Sequence, residues 1–321
     1  MPIARLGSRD LRGTEASPVQ QLLAVVNRAA GDMDDDSVES ALTALREGAD
    51  VTVAATAGPG ELLRAVRGRG DRRLVVIGGD GSVHAAVTAL DAVEGLDADA
   101  PVGIIPRGTG NDLAQALGLP LDPAESAAVV LTGAPRPLDV VRDDVGGLVV
   151  NAVHLGAGAR AGAEAARFKD RLGSAAYPLG AVIAGVTTAG WHLRVEVDGR
   201  GVVPHAAGSS PDRTTGVLMV GVCNGPTVGG STPLAPDALV DDGLLDVVVS
   251  TATGPLARAT FAAALNTGRH VERDDVLVVR GREVSVSGDS VDLVADGELE
   301  EGVVCRTWRV EHHAWSVLVP R

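Results

Sequence analysis

Aromatic side chains are nearly missing from this chain: three Trp, two Phe and one Tyr in 321 residues. With hydrophobic residues at 45%, the core must be built largely from Ala, Val and Leu. Lysine is rarer still, Lys169 being the only one, a bias of coding composition rather than of chemistry. Basic charge is short overall, with 28 Lys and Arg against 42 Asp and Glu and a formal net charge of −14. No basic stripe interrupts that excess, which argues against a nucleic-acid partner and against strong electrostatic attachment to anionic lipid. The two cysteines, Cys223 and Cys305, lie far apart in apolar, strand-like contexts and read as buried free thiols in a reducing cytoplasm. Met1 to Ser17 lacks the apolar block of a secretory signal, and a disordered leader is expected. Leu172 to Leu193 carries no formal charge, but its four glycines, Pro178, Ser174 and two threonines make a buried helix the better reading than a membrane span.

What is present divides in two, and at this length two domains are the default. Apolar strand patterns at Gln21–Asn27, Asp50–Thr56, Arg73–Ile77 and Val102–Ile105 alternate with helical patterns at Val38–Arg46, Gly60–Arg69, Val83–Leu90, Asn111–Leu117 and Pro123–Leu131. That alternation predicts a doubly wound, mostly parallel sheet. From about Pro137 the texture becomes short β-like runs: Leu138–Val141, Leu148–Val153, His192–Val197, Gly216–Cys223, Leu245–Val249, Val276–Val279, Glu283–Ser287, Val291–Ala295 and Thr307–Val310. Gly, Asp and Pro clusters between them predict a mostly antiparallel β domain, with helix only around Gly158–Gly190 and Gly254–Thr267. The expected division is 18–136 for nucleotide and 137–321 for acceptor, with the last strands free to return to the first domain. A cleft between the two can house a two-substrate reaction.

Two glycine-dense turns carry the chemistry. Gly78-Gly79-Asp80-Gly81-Ser82-Val83-His84 and Arg107-Gly108-Thr109-Gly110-Asn111-Asp112 each leave a strand pattern and enter a helix pattern, roughly thirty residues apart. Glycine removes the side chain that would block a phosphate, and backbone N–H groups at a helix start converge on an anion. An Asp inside such a turn points to a magnesium ion or a hydroxyl rather than to phosphate. Tight turns also select Gly and Asp, but two of them at strand-to-helix junctions favour phosphoryl transfer.

Taken together, the turns resemble the catalytic domain of the diacylglycerol kinase family of lipid kinases, which includes bacterial soluble diacylglycerol kinases and sphingosine-kinase-like enzymes. Further segments resemble it in the family's order: Leu172-Gly173-Ser174-Ala175-Ala176-Tyr177, Asn224-Gly225-Pro226 with Gly229-Gly230, Ala235-Pro236-Asp237 through Asp241-Asp242-Gly243-Leu244-Leu245-Asp246, and Asp296-Gly297-Glu298. The resemblance runs from about Gln20 to the end and implies the two-domain NAD kinase/diacylglycerol kinase architecture. It implies nucleotide contacts at Asn27, Gly31, Thr56, Gly78, Gly79, Asp80, Gly81, Ser82, His84, Gly108, Thr109, Asn111 and Asp112, with Asp80 also serving Mg²⁺ or the acceptor. Read alone, Asn27 is a strand-end residue, Thr56 a turn cap, Asp112 a first-turn helix acid, and His84 a surface histidine with no role beyond packing or solvation.

A lipid alcohol must lose its proton as phosphorus approaches, and Glu298 matches the family's general base. In isolation Asp296-Gly297 is a hairpin turn with Glu298 a flanking exposed charge. The resemblance also implies a structural magnesium held by Asp242 and the carbonyls of Leu239 and Leu244, with Asp139 extending its network. Four departures stand out: Arg28 for proline, Ser82 for threonine, His84 for asparagine, and Ser231 for a third glycine. The implied activity is transfer of the γ-phosphoryl of ATP to diacylglycerol, by a cytoplasmic protein touching the membrane transiently. A sphingoid-base kinase, an NAD kinase-like enzyme and a catalytically silent binding protein are the alternatives, and a homodimer is left open.

Overall fold

The computed structural model describes residues 19–28, 35–157, 159, 190–202 and 215–321. The leader, Gly31, the segment Leu172 to Tyr177 and most of the helix expected over Gly158–Gly190 lie outside the described residues.

The first half is a parallel sheet of β1 (Gln20–Asn27), β2 (Ala49–Thr56), β3 (Arg73–Gly78) and β4 (Gly103–Pro106), ordered β2-β1-β3-β4. Its helices are α1 (Asp35–Gly48), α2 (Pro59–Arg67), α3 (Asp80–Glu94), α4 (Asp112–Ala116) and α5 (Pro123–Thr132). Successive strand residues face opposite sides, so the unbroken run Leu22-Leu23-Ala24-Val25-Val26 feeds two cores. Leu22, Ala24 and Val26 pack with Ala41, Leu42 and Leu45 of α1 and with Ala127 and Val130 of α5. Leu23 and Val25 face the opposite cluster, which holds Leu62 and Val66 of α2 and Val83, Ala86, Val87 and Leu90 of α3. Leu45 is fully buried, and its truncation to alanine costs about 2–5 kcal/mol.

The second half is antiparallel: β5 (Ala134–Asp143), β6 (Leu148–Val149), β7 (Ala152–Gly156), β8 (Trp191–Val197), β9 (Arg200–Gly201), β10 (Thr215–Val217), β11 (Met219–Cys223), β12 (Leu245–Ser250), β13 (Val276–Gly281), β14 (Glu283–Ala295) and β15 (Glu298–Val319), with α6 (Pro255–Leu265). The main path runs β13-β12-β11-β7-β14-β15-β5-β6, while β8 joins β10 and β9 to β14. Two runs that read as separate strands, Glu283–Ser287 and Val291–Ala295, are one strand with register shifts between them. Gly288 sits at that bend with φ +139°, and a Cβ there would lie 2.2 Å from the carbonyl oxygen of His192. Likewise Thr307–Val310 is only the middle of β15, which pairs first with β14 and then with β5. Its exposed Glu, Arg and His residues hide its length, because solvent-facing side chains break the apolar alternation. Cys223 is buried, but Cys305 is exposed on β15, a correction to the buried thiol expected there.

The halves share a core. Leu138 and Val140 of β5, Leu148, Trp315 and Val317 pack into the α2/α3 cluster, and Val102 pairs with Val317 beyond β15's own ladder. Arg142 on β5 reaches Asp91 on α3 through two hydrogen bonds, 2.9 and 3.1 Å, and Glu311 on β15 at 2.8 Å. At the strand ends the second glycine turn also meets the antiparallel half, where Gly110 approaches Gly230. No helix among the described residues is long and apolar enough to cross a membrane.

Candidate active site

The two glycine turns touch. The N–H of Arg107 donates to the carbonyl of Gly78 at 2.9 Å, and Gly79 and Gly108 meet backbone to backbone. A Cβ on Gly79 would lie 2.9 Å from the Cα of Gly108, and one on Gly108 would lie 2.7 Å from that of Gly79. These two glycines are thus demanded by the packing of the turns on each other. Gly81, in the first turn of α3, has open space around the missing Cβ and is the glycine that leaves room for a ligand.

Asp80 opens α3 beside that space. Its carboxylate accepts from the Leu113 N–H at 3.3 Å. Desolvation raises its pKa first, the charge of Asp112 raises it further, and backbone N–H groups of α4's first turn oppose them. Asn111 has φ 52° and donates to the Gly108 carbonyl at 2.7 Å, while its buried Oδ1 lacks a partner. Thr109 is exposed, and its hydroxyl has no protein partner among the described residues. At the next strand ends, the Arg28 N–H donates to the Thr56 carbonyl at 2.8 Å, closing β1 against β2. Asn27, Thr56, Gly58, Pro59 and Ser82 line a cavity of about 130 Å³ floored by Val25 and Val76. That is smaller than the roughly 300 Å³ of a whole small-molecule pocket.

Glu298 arrives from the other half. It is the first residue of β15, exposed, just beyond the turn Asp296-Gly297 whose residues both have positive φ. The turn is bolted in place by Asp296, which accepts from the N–H groups of Val150, Asn151 and Ala152 at 2.6, 3.0 and 3.0 Å. Its remaining partner is Nδ1 of His84 on α3, at 2.9 Å. His84 therefore leaves the nucleotide turn and faces the second half, contrary to its reading as a surface residue without a role. Burial opposes charge on this ring, but the hydrogen bond to Asp296 and the charges of Asp296 and Glu298 together outweigh it and raise its pKa.

Comparison with known proteins identifies this arrangement. Residues 21–142 match the diacylglycerol kinase catalytic domain, and residues 151–319 match the YegS C-terminal NAD kinase beta sandwich-like domain. A Pseudomonas aeruginosa protein named probable lipid kinase YegS-like is 34% identical over 88% of this chain and 88% of its own length. A Xanthomonas campestris protein of the same name is 30% identical over 87% and 89%. The chain belongs to the YegS-like lipid kinase family. It is accordingly a phosphotransferase that uses ATP and a lipid substrate. In fold it is similar to a diacylglycerol kinase from Bacillus anthracis, with TM-score 0.73 at 22% identity over 95% of this chain and 98% of that one. The NAD kinase from Archaeoglobus fulgidus in complex with ATP is a more distant likeness, TM-score 0.50 at 16% identity and 93% coverage of both.

In this YegS-like kinase Asp112 faces away from the open space. It is buried, and its carboxylate accepts from the Thr227 hydroxyl at 2.7 Å and the N–H groups of Gly230 and Ser231 at 3.0 and 2.9 Å. It clamps the Gly229-Gly230 loop of the second half onto the Gly110 turn of the first. Thr227, Ser231 and Asp296 were not singled out from the sequence as site residues. Asp296 and Ser231 stand within family segments and Thr227 beside one, but nothing there marks them as partners, because a carboxylate's partners from distant segments leave no spacing to read.

The acidic turn lies apart. Asp139 is buried and its carboxylate accepts from the Gly243 N–H at 2.6 Å and from Nδ1 of His312 and the N–H of His313, both at 2.8 Å. Asp242 accepts from the Leu244 N–H at 3.1 Å and pairs with Arg280, which also reaches Asp246 at 3.2 Å. Asp241 pairs with Arg136 at 2.7 Å. A cation site needs uncompensated oxygens, and here two arginines neutralise the turn while Asp139 is filled by N–H donors. This donor set does not fit the structural magnesium expected of Asp242, Leu239, Leu244 and Asp139.

Proposed function

We propose that this kinase phosphorylates the free hydroxyl of diacylglycerol, with ATP on the parallel-sheet side and the acceptor approaching from the antiparallel side. The carrying observation is the turn at Asp296-Gly297, which brings Glu298 close enough to α3 for its charge to act on His84, one helical turn from Asp80. An exposed carboxylate beside a glycine cradle is the pairing that a general base and a phosphate site require.

The cradle residues fit a nucleotide with its magnesium. Asn111 Oδ1 lacks a partner, Gly81 leaves open space, and Asp80 carries a desolvated charge that a cation would relieve. Asp80 would hold the Mg²⁺, the N–H groups at the start of α3 and the Thr109 hydroxyl would hold phosphate oxygens, and Asn27, Thr56 and Ser82 would hold the part of the nucleotide in their cavity. Bound magnesium supplies neutralisation of phosphate charge. Glu298 accepts the proton of the lipid hydroxyl and Asp296 keeps it facing the cradle.

The test is phosphorylation of diacylglycerol in mixed micelles with labelled ATP and Mg²⁺. Glu298→Gln is expected to lower kcat by about 10²–10⁴-fold, the span of a lost general base, with a native circular dichroism spectrum. Asp80→Asn is expected to fail in a magnesium-dependent manner. Wild-type turnover in Glu298→Gln would remove the base, and a preference for a sphingoid base across a lipid panel would replace the substrate.

A further inference from the structure

The Glu298 side chain is exposed and makes no hydrogen bond among the described residues, so its place at the cradle is set by the hairpin that carries it. Its hairpin is anchored at one residue, Asp296, whose side chain is only 3% exposed and whose φ of 45° makes the turn. Three of that carboxylate's contacts are backbone N–H groups at 150–152, all within its own half. The fourth, His84 Nδ1, is its contact to the half that carries the glycine turns. His84 stands one helical turn after Asp80, so the same face of α3 presents the cradle acid and the ring that grips the base's hairpin. The charged groups acting on the ring are Asp296 and Glu298 across the gap, both acidic.

We propose that His84 is a positioning residue for phosphoryl transfer. Through its hydrogen bond to Asp296 it latches the β14–β15 turn onto α3 and sets Glu298 over the cradle. The inference rests on Glu298 being the base. It assigns a role to a residue that departs from the family's usual asparagine. Asparagine at this place can share the hydrogen bond but has no titratable ring beside the two acids.

The latch is tested with His84→Leu, His84→Asn and Asp296→Asn beside Glu298→Gln, in the full chain. His84→Leu is expected to lower kcat about tenfold while KM for ATP moves less than about twofold, as a base displaced by a fraction of an ångström would do. Wild-type kcat should fall on the alkaline side as the imidazolium loses its proton, and His84→Asn should lack that limb. The imidazole titration, followed by NMR, should drop in Asp296→Asn. If Glu298→Gln is inactive but His84→Leu keeps wild-type kcat and pH profile, the latch is overturned and the base survives. If Glu298→Gln is active, the base reading fails, and an imidazole titration indifferent to Asp296→Asn would sink the latch as well.

Discussion

Two buried carboxylates staple the halves of this kinase together on either side of the cradle, and they do it differently. Asp112 reaches from α4 into the second half and is met only by uncharged donors, a threonine hydroxyl and two backbone N–H groups. Asp296 reaches from the second half to α3 and is met by three N–H groups and a titratable ring. The first staple holds a loop by geometry alone. On the proposed latch, the second would make the position of the Glu298 hairpin depend on a proton.

The largest effect expected from breaking this pair is on the uncharged staple. Asp112→Ala orphans two backbone N–H groups and a hydroxyl in a part-buried place, which should cost about 1–3 kcal/mol. Urea unfolding would read this as a lower midpoint at unchanged slope, and a loss below about 1 kcal/mol would show that water replaces the carboxylate. The charged staple should respond to pH instead. The folded-state pKa of His84 is raised, so its contribution is complete below the unfolded imidazole value and fades as pH rises through the folded one. The Tm difference between wild type and His84→Leu should therefore shrink from about pH 6 to about pH 9. A difference that grows with pH would mean the ring is held neutral.

The smallest effect concerns a third carboxylate, Asp139, which is satisfied wholly within the protein. Chelation should leave Tm within about 1 °C, whereas removal of a structural ion held at 100-fold its Kd would forfeit about 2.7 kcal/mol. A fall of several degrees restored by Mg²⁺ would show that Arg280 yields Asp242 to a cation and would sharpen the contrast among the three acids.

Much of this was legible beforehand, for identifiable reasons. The parallel strands announce themselves because both faces are covered, so Leu22 to Val26 reads as one apolar run. The glycine turns are legible because a backbone approach admits no substitute, as at Gly79 against Gly108. Asp296 and Gly297 read as a turn, but not as an anchor, since Val150 to Ala152 lie far away in sequence. Asp242 looked like a ligand because nothing in a linear pattern shows that Arg280 stands across a neighbouring strand.

The amino-acid order by itself determined the local conformations: period-two apolar runs, strand-to-helix turns and the Asp-Gly hairpin all arise from interactions within a few residues. Only the tertiary structure decided which acids staple the halves and which are neutralised by arginine. A carboxylate's role depends on the donors and charges around it, and folding draws those from every part of the chain.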